Sequence, residues 1–183
     1  MRPVYIPHVD FDVDLESLLR DIPWSRHTET RSECFMSPEP YTYTYGKGSG
    51  QRSYDSIPIS VSIASTMQKV NEILDRDLSF GPMTGCFLNR YDHDREHLGW
   101  HSDDFPGMDH TRPIVSVSFG EPREIWCRLI GTSGEVSEGN RLLLADSSMF
   151  VMPPGFQSTH QHRIPKGSRK MGPRVSLTFR AFK

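Results

Sequence analysis

The second half of the chain is a succession of short alternating segments separated by turns that contain Gly and Pro. Residues 114–120, Ile-Val-Ser-Val-Ser-Phe-Gly, are the clearest of these segments. Alternation of period two is typical of a strand with one buried face. We predict further strands at residues 86–91, 124–130, 140–144, 149–152, 160–164 and 174–182. Short strands at this spacing indicate a β-sandwich or barrel, and a double-stranded β-helix (jelly roll) fits their number.

Helical patterns occur only in the first 82 residues. Residues 13–22 place leucines on one face behind Asp14, a suitable N-cap, and residues 60–78 repeat apolar side chains at helical spacing. Residues 36–60 are rich in Gly and Pro and are expected to be irregular. The predicted fold class is α+β, mainly β, with a jelly-roll core and N-terminal helices packed on one sheet. We expect a single domain, with helices and a substrate lid in 1–82 and the catalytic core in 83–183.

Composition excludes several classes of protein. No apolar run approaches the roughly 20 residues that a membrane helix needs, and the N-terminus lacks an apolar signal core. Cys34, Cys86 and Cys127 are far apart and show neither zinc nor disulfide spacing. The net charge of −2 gives no global signal for nucleic acid. We therefore expect an intracellular, soluble monomer of the cytoplasm or nucleus with no membrane partner.

The sequence His101-Ser102-Asp103 is the strongest chemical signal. On an extended strand, His101 and Asp103 leave the same face and can meet on one metal ion. A second imidazole is available far downstream, from either His160 or His162. Two imidazoles and one carboxylate form the facial triad of non-haem Fe(II) oxygenases. An Arg on the last strand can hold a carboxylate co-substrate such as 2-oxoglutarate beside that metal.

Five motifs, in this order, resemble those of the AlkB family of oxidative nucleic-acid demethylases. They are residues 88–91 (Leu-Asn-Arg-Tyr), 100–104 (Trp-His-Ser-Asp-Asp), 113–120 (Pro-Ile-Val-Ser-Val-Ser-Phe-Gly), 161–165 (Gln-His-Arg-Ile-Pro) and 173–180 (Pro-Arg-Val-Ser-Leu-Thr-Phe-Arg). The resemblance implies demethylation of alkylated DNA or RNA bases with Fe(II), 2-oxoglutarate and O2. The products would be formaldehyde, succinate and CO2.

The resemblance also implies residue roles. It assigns Fe(II) to His101, Asp103 and His162, and so prefers His162 over His160. By the same resemblance, Asn89 and Arg174 would contact the metal-proximal end of 2-oxoglutarate. Tyr91 and Arg180 would hold its distal carboxylate.

The substrate residues are expected in the lid and around the first motif. Tyr41, Tyr43 and Tyr45 alternate, which fits either a stacking surface for bases or a strand with one buried face. A basic run, Arg163, Lys166, Arg169 and Lys170, fits phosphate contacts or a solvated loop. The residues expected to bind the substrate, a single-stranded or flipped base, are Tyr45, Tyr54, Trp100, Asp104, Phe105 and Trp126.

Alternatives to this function remain open at the level of sequence. Many relatives carry an acidic residue two positions after the ligand Asp, and this chain has Phe105 there. The same oxygenase chemistry on a modified nucleotide, protein side chain or small metabolite is therefore the second hypothesis. A non-catalytic nucleic-acid binder is a third, against which the triad and both arginines count.

Overall fold

The strands of the computed structural model follow one another closely along the chain. The structure describes residues 2–45, 51–78, 80–134 and 136–183. In chain order the strands are β1 Val4–Ile6, β2 Ser25–Thr28, β3 Arg31–Ser37, β4 Thr42–Tyr45, β5 Arg52–Asp55, β6 Ile57–Pro58, β7 Gly85–Tyr91, β8 Leu98–His101, β9 Ile114–Gly120, β10 Arg123–Leu129, β11 Arg141–Leu144, β12 Ser148–Met152, β13 His160–Ile164 and β14 Arg174–Arg180.

Helices are short and lie mainly near the N-terminus. Helix α1 spans Leu15–Asp21, and Asp14 caps it by accepting a 2.8 Å hydrogen bond from the Ser17 amide. Helix α2 spans Val61–Ile73, is capped by Ser60, and continues as a π-helical turn over Leu74–Leu78. Helix α3 covers only Phe156–Thr159, and a 3₁₀ turn covers Glu138–Asn140. Helices α1 and α2 and the Asp14 cap agree with the sequence prediction.

The larger sheet has eight strands in the order β1-β12-β9-β14-β7-β3-β2, with β6 paired to β3. All its pairs are antiparallel except β3 with β6. Apolar side chains of α1 and α2, such as Leu18 and Val70, pack with Val117 and Leu177 on one face of this sheet. The helices therefore cover the larger sheet from outside, as predicted.

The smaller sheet has four strands in the order β11-β10-β13-β8 and faces the other side of the larger one. A second apolar cluster, including Ile114, Ile125, Phe150 and Ile164, fills the space between the two sheets. This is the predicted jelly roll. The hairpin β4-β5 forms a two-stranded sheet of its own, packed through Tyr43 and Tyr54 against aromatic residues of the larger sheet.

The N-terminal third contains more strand than the sequence indicated. Strand β3 is buried along its whole length and lies beside β7, although no strand was predicted for residues 31–35. Residues 36–60 are not uniformly irregular, since they hold the hairpin β4-β5. Strands β1, β2 and β8 and the short α3 were also not predicted. Among the described residues, no helix has both the length and the apolar character to cross a membrane.

Candidate metal centre and co-substrate site

Three side chains from two neighbouring strands meet between the sheets. His101 ends β8 and is the direct cross-strand partner of His162 on β13, so both rings leave the same face. Their ring centroids are 4.2 Å apart. Asp103 lies two residues beyond, with its two carboxylate oxygens 3.8 Å from His101 Nε2 and 3.9 Å from His162 Nε2. One ligand atom from each residue lies within 4.8 Å of the others.

The charge state of this cluster suits a divalent metal ion. Burial lowers the pKa of His101, and it lowers that of His162 to about 3, so both imidazoles are neutral. Burial would raise the pKa of Asp103, but the adjacent Arg180 guanidinium holds it well below its usual range. Neutral imidazoles and an ionised carboxylate are the forms that bind metal ions.

One buried polar atom of the cluster supports the same conclusion. Asp103 Oδ1 has no hydrogen-bond partner among the described residues. A buried carboxylate oxygen without a partner is costly, and a cation removes that cost. The cluster therefore fits a metal ion with two nitrogen ligands and one oxygen ligand, which is the donor set of a non-haem Fe(II) site.

His160 does not join this cluster. Its ring stacks on Phe156 with centroids 4.5 Å apart, and its Nδ1 lies 2.8 Å from Thr159 Oγ1. Among the described residues, His162 is the downstream histidine in the metal-binding group. The choice between the two histidines, which the residues alone left open, is therefore made by packing at α3.

The two arginines of β14 lie at opposite ends of the site. Arg180 Nη2 donates a 2.9 Å hydrogen bond to Asp103 Oδ2, so this guanidinium is beside the triad. Arg174 is six residues away, about 20 Å along an extended strand. It pairs across the sheet with Tyr91, its guanidinium lies 5.5 Å from that ring, and its Nη2 donates to Ser118 Oγ at 2.9 Å.

The positions of these two arginines differ from the positions that their predicted roles require, and the roles themselves stay predictions. The sequence expectation gave Arg174 the metal-proximal end of 2-oxoglutarate and Arg180 the distal carboxylate. Arg180 is instead the metal-proximal cation, and Arg174 with Tyr91 lies at the far end. Arg174 is 1% exposed, and its Nε and Nη1 have no partner among the described residues. Two buried guanidinium donors without partners fit a carboxylate of the co-substrate.

Asn89 connects the site to a buried network on β3. Arg31 Nε donates a 2.8 Å hydrogen bond to Asn89 Oδ1, and the same guanidinium forms an ion pair with Glu33. Tyr54 Oη donates to the other oxygen of Glu33 at 2.9 Å. Sequence reasoning missed Arg31 and Glu33, because alternating charges normally indicate an exposed face and here they face the interior.

The hairpin tyrosines have structural roles in the described part of the chain. Tyr43 is 1% exposed, and the Arg180 guanidinium lies 5.2 Å from its ring. Tyr54 is buried and packs edge-on against Phe87, with centroids 4.9 Å apart. This burial and the hydrogen bond to Glu33 give Tyr54 a packing role, and its expected contact with the substrate remains a prediction. Tyr45, also expected at the substrate, ends β4, but its side chain lies outside the described part of the structure.

The two tryptophans expected at the substrate lie on the outer face of the smaller sheet, away from the triad. Trp100 precedes the inward-facing His101, so it leaves the opposite face of the smaller sheet. Trp126 precedes Cys127, the direct partner of His162, and also faces outward. Both indoles are half-buried among arginines on the outer surface. The period-two alternation of the strands contained this information.

Asp104 and Phe105 lie at the border of the site. The exposed Asp104 and Arg180 both line a cavity of about 260 Å³, whose wall also includes Gln157. Gln157 Oε1 accepts a 3.0 Å hydrogen bond from the Asp103 amide, which ties this wall to the triad. Phe105 packs edge-on against Tyr43, with centroids 5.3 Å apart. The substrate role expected of Asp104 and Phe105 remains a prediction.

Comparison with protein families gives one match over most of the chain. Residues 15–180 match the model of the 2OG-Fe(II) oxygenase superfamily. The solved structure of OsALKBH1 superposes with a TM-score of 0.54 at 19% identity, covering 83% of this chain and 78% of that one. At that identity the superposition supports the fold alone.

Curated relatives include two kinds of protein. The alpha-ketoglutarate-dependent dioxygenase alkB homolog 3 of Homo sapiens is 25% identical over 185 residues, which cover 98% of this chain and 64% of that protein. The DNA oxidative demethylase ALKBH2 of Mus musculus is 37% identical over 97 residues, which cover 51% of this chain and 41% of that protein. The chain thus spans less than two thirds of the length of these relatives.

Proposed function

The chain belongs to the 2OG-Fe(II) oxygenase superfamily, and on that premise we propose that it is an oxidative demethylase of alkylated bases in DNA or RNA. Membership implies Fe(II), 2-oxoglutarate and O2 as metal and co-substrates. The observation that carries the proposal is the convergence of His101, Asp103 and His162, whose ligand atoms lie within 4.8 Å of one another. The names of the curated relatives support alkylated nucleic-acid bases as the substrate.

In this proposal His101, Asp103 and His162 hold the metal, and Arg180 fixes the orientation of the Asp103 carboxylate through its 2.9 Å hydrogen bond. When bound, Fe(II) with 2-oxoglutarate and O2 supplies the oxidising chemistry: an N-methyl carbon is hydroxylated and lost as formaldehyde, and 2-oxoglutarate leaves as succinate and CO2. Two open donors on Arg174 and the adjacent Tyr91 bind the distal carboxylate of 2-oxoglutarate.

Asn89 contributes to the same co-substrate site through its side-chain amide. Its Oδ1 accepts from Arg31, and Asn89 shares a cavity wall with the triad, so its NH₂ group would be the donor to the co-substrate. The side chains around it come from the inward faces of β7, β9 and β14, and they include Ser116 and Ser176, whose hydroxyl oxygens are 3.1 Å apart. A polar inner face on the larger sheet suits a dicarboxylate, while the apolar cluster beside it excludes water.

The modified base enters, in this proposal, the cavity of about 260 Å³ beside Arg180 and Asp104. The base would be extruded from a duplex or taken from a single strand, because the target atom of a stacked base cannot reach the metal. The protein acts as a single-domain monomer of the cytoplasm or nucleus, with nucleic acid as its partner.

A screen of methylated DNA and RNA oligonucleotides tests this function. Each is incubated with the protein, Fe(II), 2-oxoglutarate and ascorbate, and the strands are analysed by mass spectrometry. The proposal expects at least one alkylated base to lose its methyl group in a reaction that requires 2-oxoglutarate. Succinate formation without methyl loss from any oligonucleotide would favour the other substrates, a modified nucleotide, protein side chain or metabolite.

A further inference from the structure

Five side chains form an alternating stack on the outer face of the smaller sheet, which we call the Arg–Trp stack. The Arg128 guanidinium lies 4.1 Å from the Trp100 ring centroid. The Arg163 guanidinium lies 4.9 Å from Trp100 and 4.2 Å from Trp126. The Arg141 guanidinium lies 4.3 Å from Trp126. The order across the surface is therefore Arg128, Trp100, Arg163, Trp126 and Arg141.

The strand register builds this stack. Trp126 on β10 is the direct cross-strand partner of both Arg163 on β13 and Arg141 on β11. Directly opposite side chains on one face of an antiparallel sheet lie in contact distance. Arg128 is two residues beyond Trp126 and therefore shares its face. The stack spans all four strands, from β11 at one edge of the sheet to β8 at the other.

The three arginines of the stack keep their positive charge without carboxylate partners among the described residues. In the part of the chain that the structure describes, Arg128 donates only to the neutral Gln161 amide oxygen at 3.0 Å. Burial and the like charges of Arg128 and Arg141 lower the pKa of Arg163. Glu124 accepts a 2.7 Å hydrogen bond from Trp126 Nε1. Three cations held side by side complement a polyanion.

A groove of about 850 Å³ adjoins the stack at Trp126 and Arg163, and Glu124 is the one acidic residue among its described lining residues. Its lining includes Lys166 and Arg169 of the basic run, and Arg169 is bonded to Glu121 at 2.6 Å. The stack and the groove together place cations from β11 to the loop after β13. An electropositive track of this kind is typical of proteins that bind single-stranded nucleic acid.

We propose that the Arg–Trp stack binds the phosphodiester backbone of the nucleic-acid strand that carries the target base. This inference rests on the proposed function and names the partner surface for it. Each indole already has an arginine on its face, so the bases of the strand have no free ring to stack on there. What the stack offers is three guanidiniums held in place by the indoles, and guanidinium donors match phosphate oxygens. Such contacts position a strand without reading its sequence.

The position of β8 links this surface to the metal cluster. β8 is the edge strand of the smaller sheet, with Trp100 on its outer face and His101 on its inner face. A nucleic-acid strand that crosses this edge of the sheet covers only about 10 Å, the thickness of one sheet layer, between the stack and the triad. The surface can therefore hold the phosphates next to the target base while the base occupies the site.

Salt-dependent binding of a methylated single strand tests the surface. The double variant Arg128→Gln/Arg141→Gln removes the two outer cations and leaves Arg163 and both indoles. Its matched control is Lys69→Gln/Arg76→Gln, which removes the same charge from exposed positions on and just after α2, on the opposite side of the molecule. Loss of two phosphate contacts on single strands lowers the slope of log affinity against log salt by about 1.4.

We expect this decrease, with weaker binding to all sequences alike, in the stack variant and not in the control. We also expect unchanged turnover of a methylated nucleoside, which is too small to reach the stack. Equal slopes for the parent and the stack variant, with normal binding by both, would overturn the surface alone. If the parent itself shows no salt-dependent binding to any oligonucleotide, the proposed substrate and this surface both fail. If the parent binds oligonucleotides, but the stack variant loses only the binding of a protein or of a second copy of this chain, the occupant proposed here is wrong.

Discussion

At the scale of single residues, the site depends on how far apart two arginines lie on one strand. Arg180 contacts the Asp103 carboxylate, and Arg174 lies beside Tyr91 at the other end of β14. The two side chains share a face but serve different ends of the co-substrate site. The family resemblance identified both residues, but the sequence does not show which one is near the metal, because that depends on where β8 and β13 cross the larger sheet.

Arg174→Ala should raise the KM for 2-oxoglutarate by at least about tenfold, because truncating one side of a buried charge pair costs ~2–5 kcal/mol. The KM is measured from succinate formation at varied 2-oxoglutarate. Arg174→Lys should recover part of the affinity, since it keeps the charge without the planar fork. A KM equal to that of the parent in Arg174→Ala would return the distal role to Arg180.

Tyr54→Phe separates a structural from a substrate role for this tyrosine. Removing its hydroxyl leaves one buried carboxylate oxygen of Glu33 without its hydrogen-bond donor. We therefore expect the free energy of unfolding to fall by about 1–3 kcal/mol. The loss is measured by urea denaturation. Demethylation at saturating substrate should be unchanged. Reduced demethylation in a variant of normal stability would restore the substrate contact that the sequence suggested.

At the scale of elements, β3 is the fully buried strand that the sequence pattern did not predict. Its charged side chains, Arg31 and Glu33, face the interior, where they pair with each other and contact Asn89 and Tyr54. Hydrophobic patterning assumes that charges face solvent, so it assigned no strand here. By contrast, β7, β9, β10, β13 and β14 follow the expected alternation or motif, and the sequence predicted each of them.

Glu33→Ala should destabilise the protein by about 3–5 kcal/mol, because it leaves Arg31 as a buried charge without its partner. Glu29→Ala, at an exposed position in the turn before β3, is the matched control and should leave the urea midpoint where it is. Denaturation followed by circular dichroism gives both values. A midpoint for Glu33→Ala as high as that of the control would show that the β3 network does not stabilise the larger sheet.

The candidate site was predictable to different depths at the level of elements. The triad was predictable because its signals are local. His101 and Asp103 are two residues apart, and His162 lies in a predicted strand. The outward direction of Trp100 and Trp126 follows from strand alternation, because each directly precedes an inward-facing residue. The exclusion of His160 required α3, a four-residue helix that no sequence pattern indicated.

At the scale of the whole molecule, two sheets and a hairpin converge on one small volume that contains the triad. Metal binding to that volume should stabilise the entire fold, because an ion that binds only the folded state shifts the unfolding equilibrium. The expected gain is about 2.7 kcal/mol when the ion is present at 100 times its Kd. Mn(II), which avoids oxidation by air, is a suitable ion for thermal unfolding in the absence of 2-oxoglutarate.

His162→Ala should abolish this metal-dependent stabilisation, and His160→Ala should retain it. The two histidines are two residues apart on the same strand, so the pair controls for general damage to β13. Retained stabilisation by Mn(II) in His162→Ala, or its loss in His160→Ala, would contradict the assignment of the third ligand.

The most direct test of the central claim is formaldehyde release from a methylated oligonucleotide, measured together with succinate for the parent protein and for Asp103→Ala. The triad and the proposed demethylation together predict that the parent releases formaldehyde in proportion to succinate. They also predict that both products disappear in Asp103→Ala while its circular dichroism spectrum stays that of a folded protein. Equal formaldehyde release by parent and variant would contradict the metal centre. Succinate from the parent without formaldehyde, for every alkylated base offered, would contradict the demethylase.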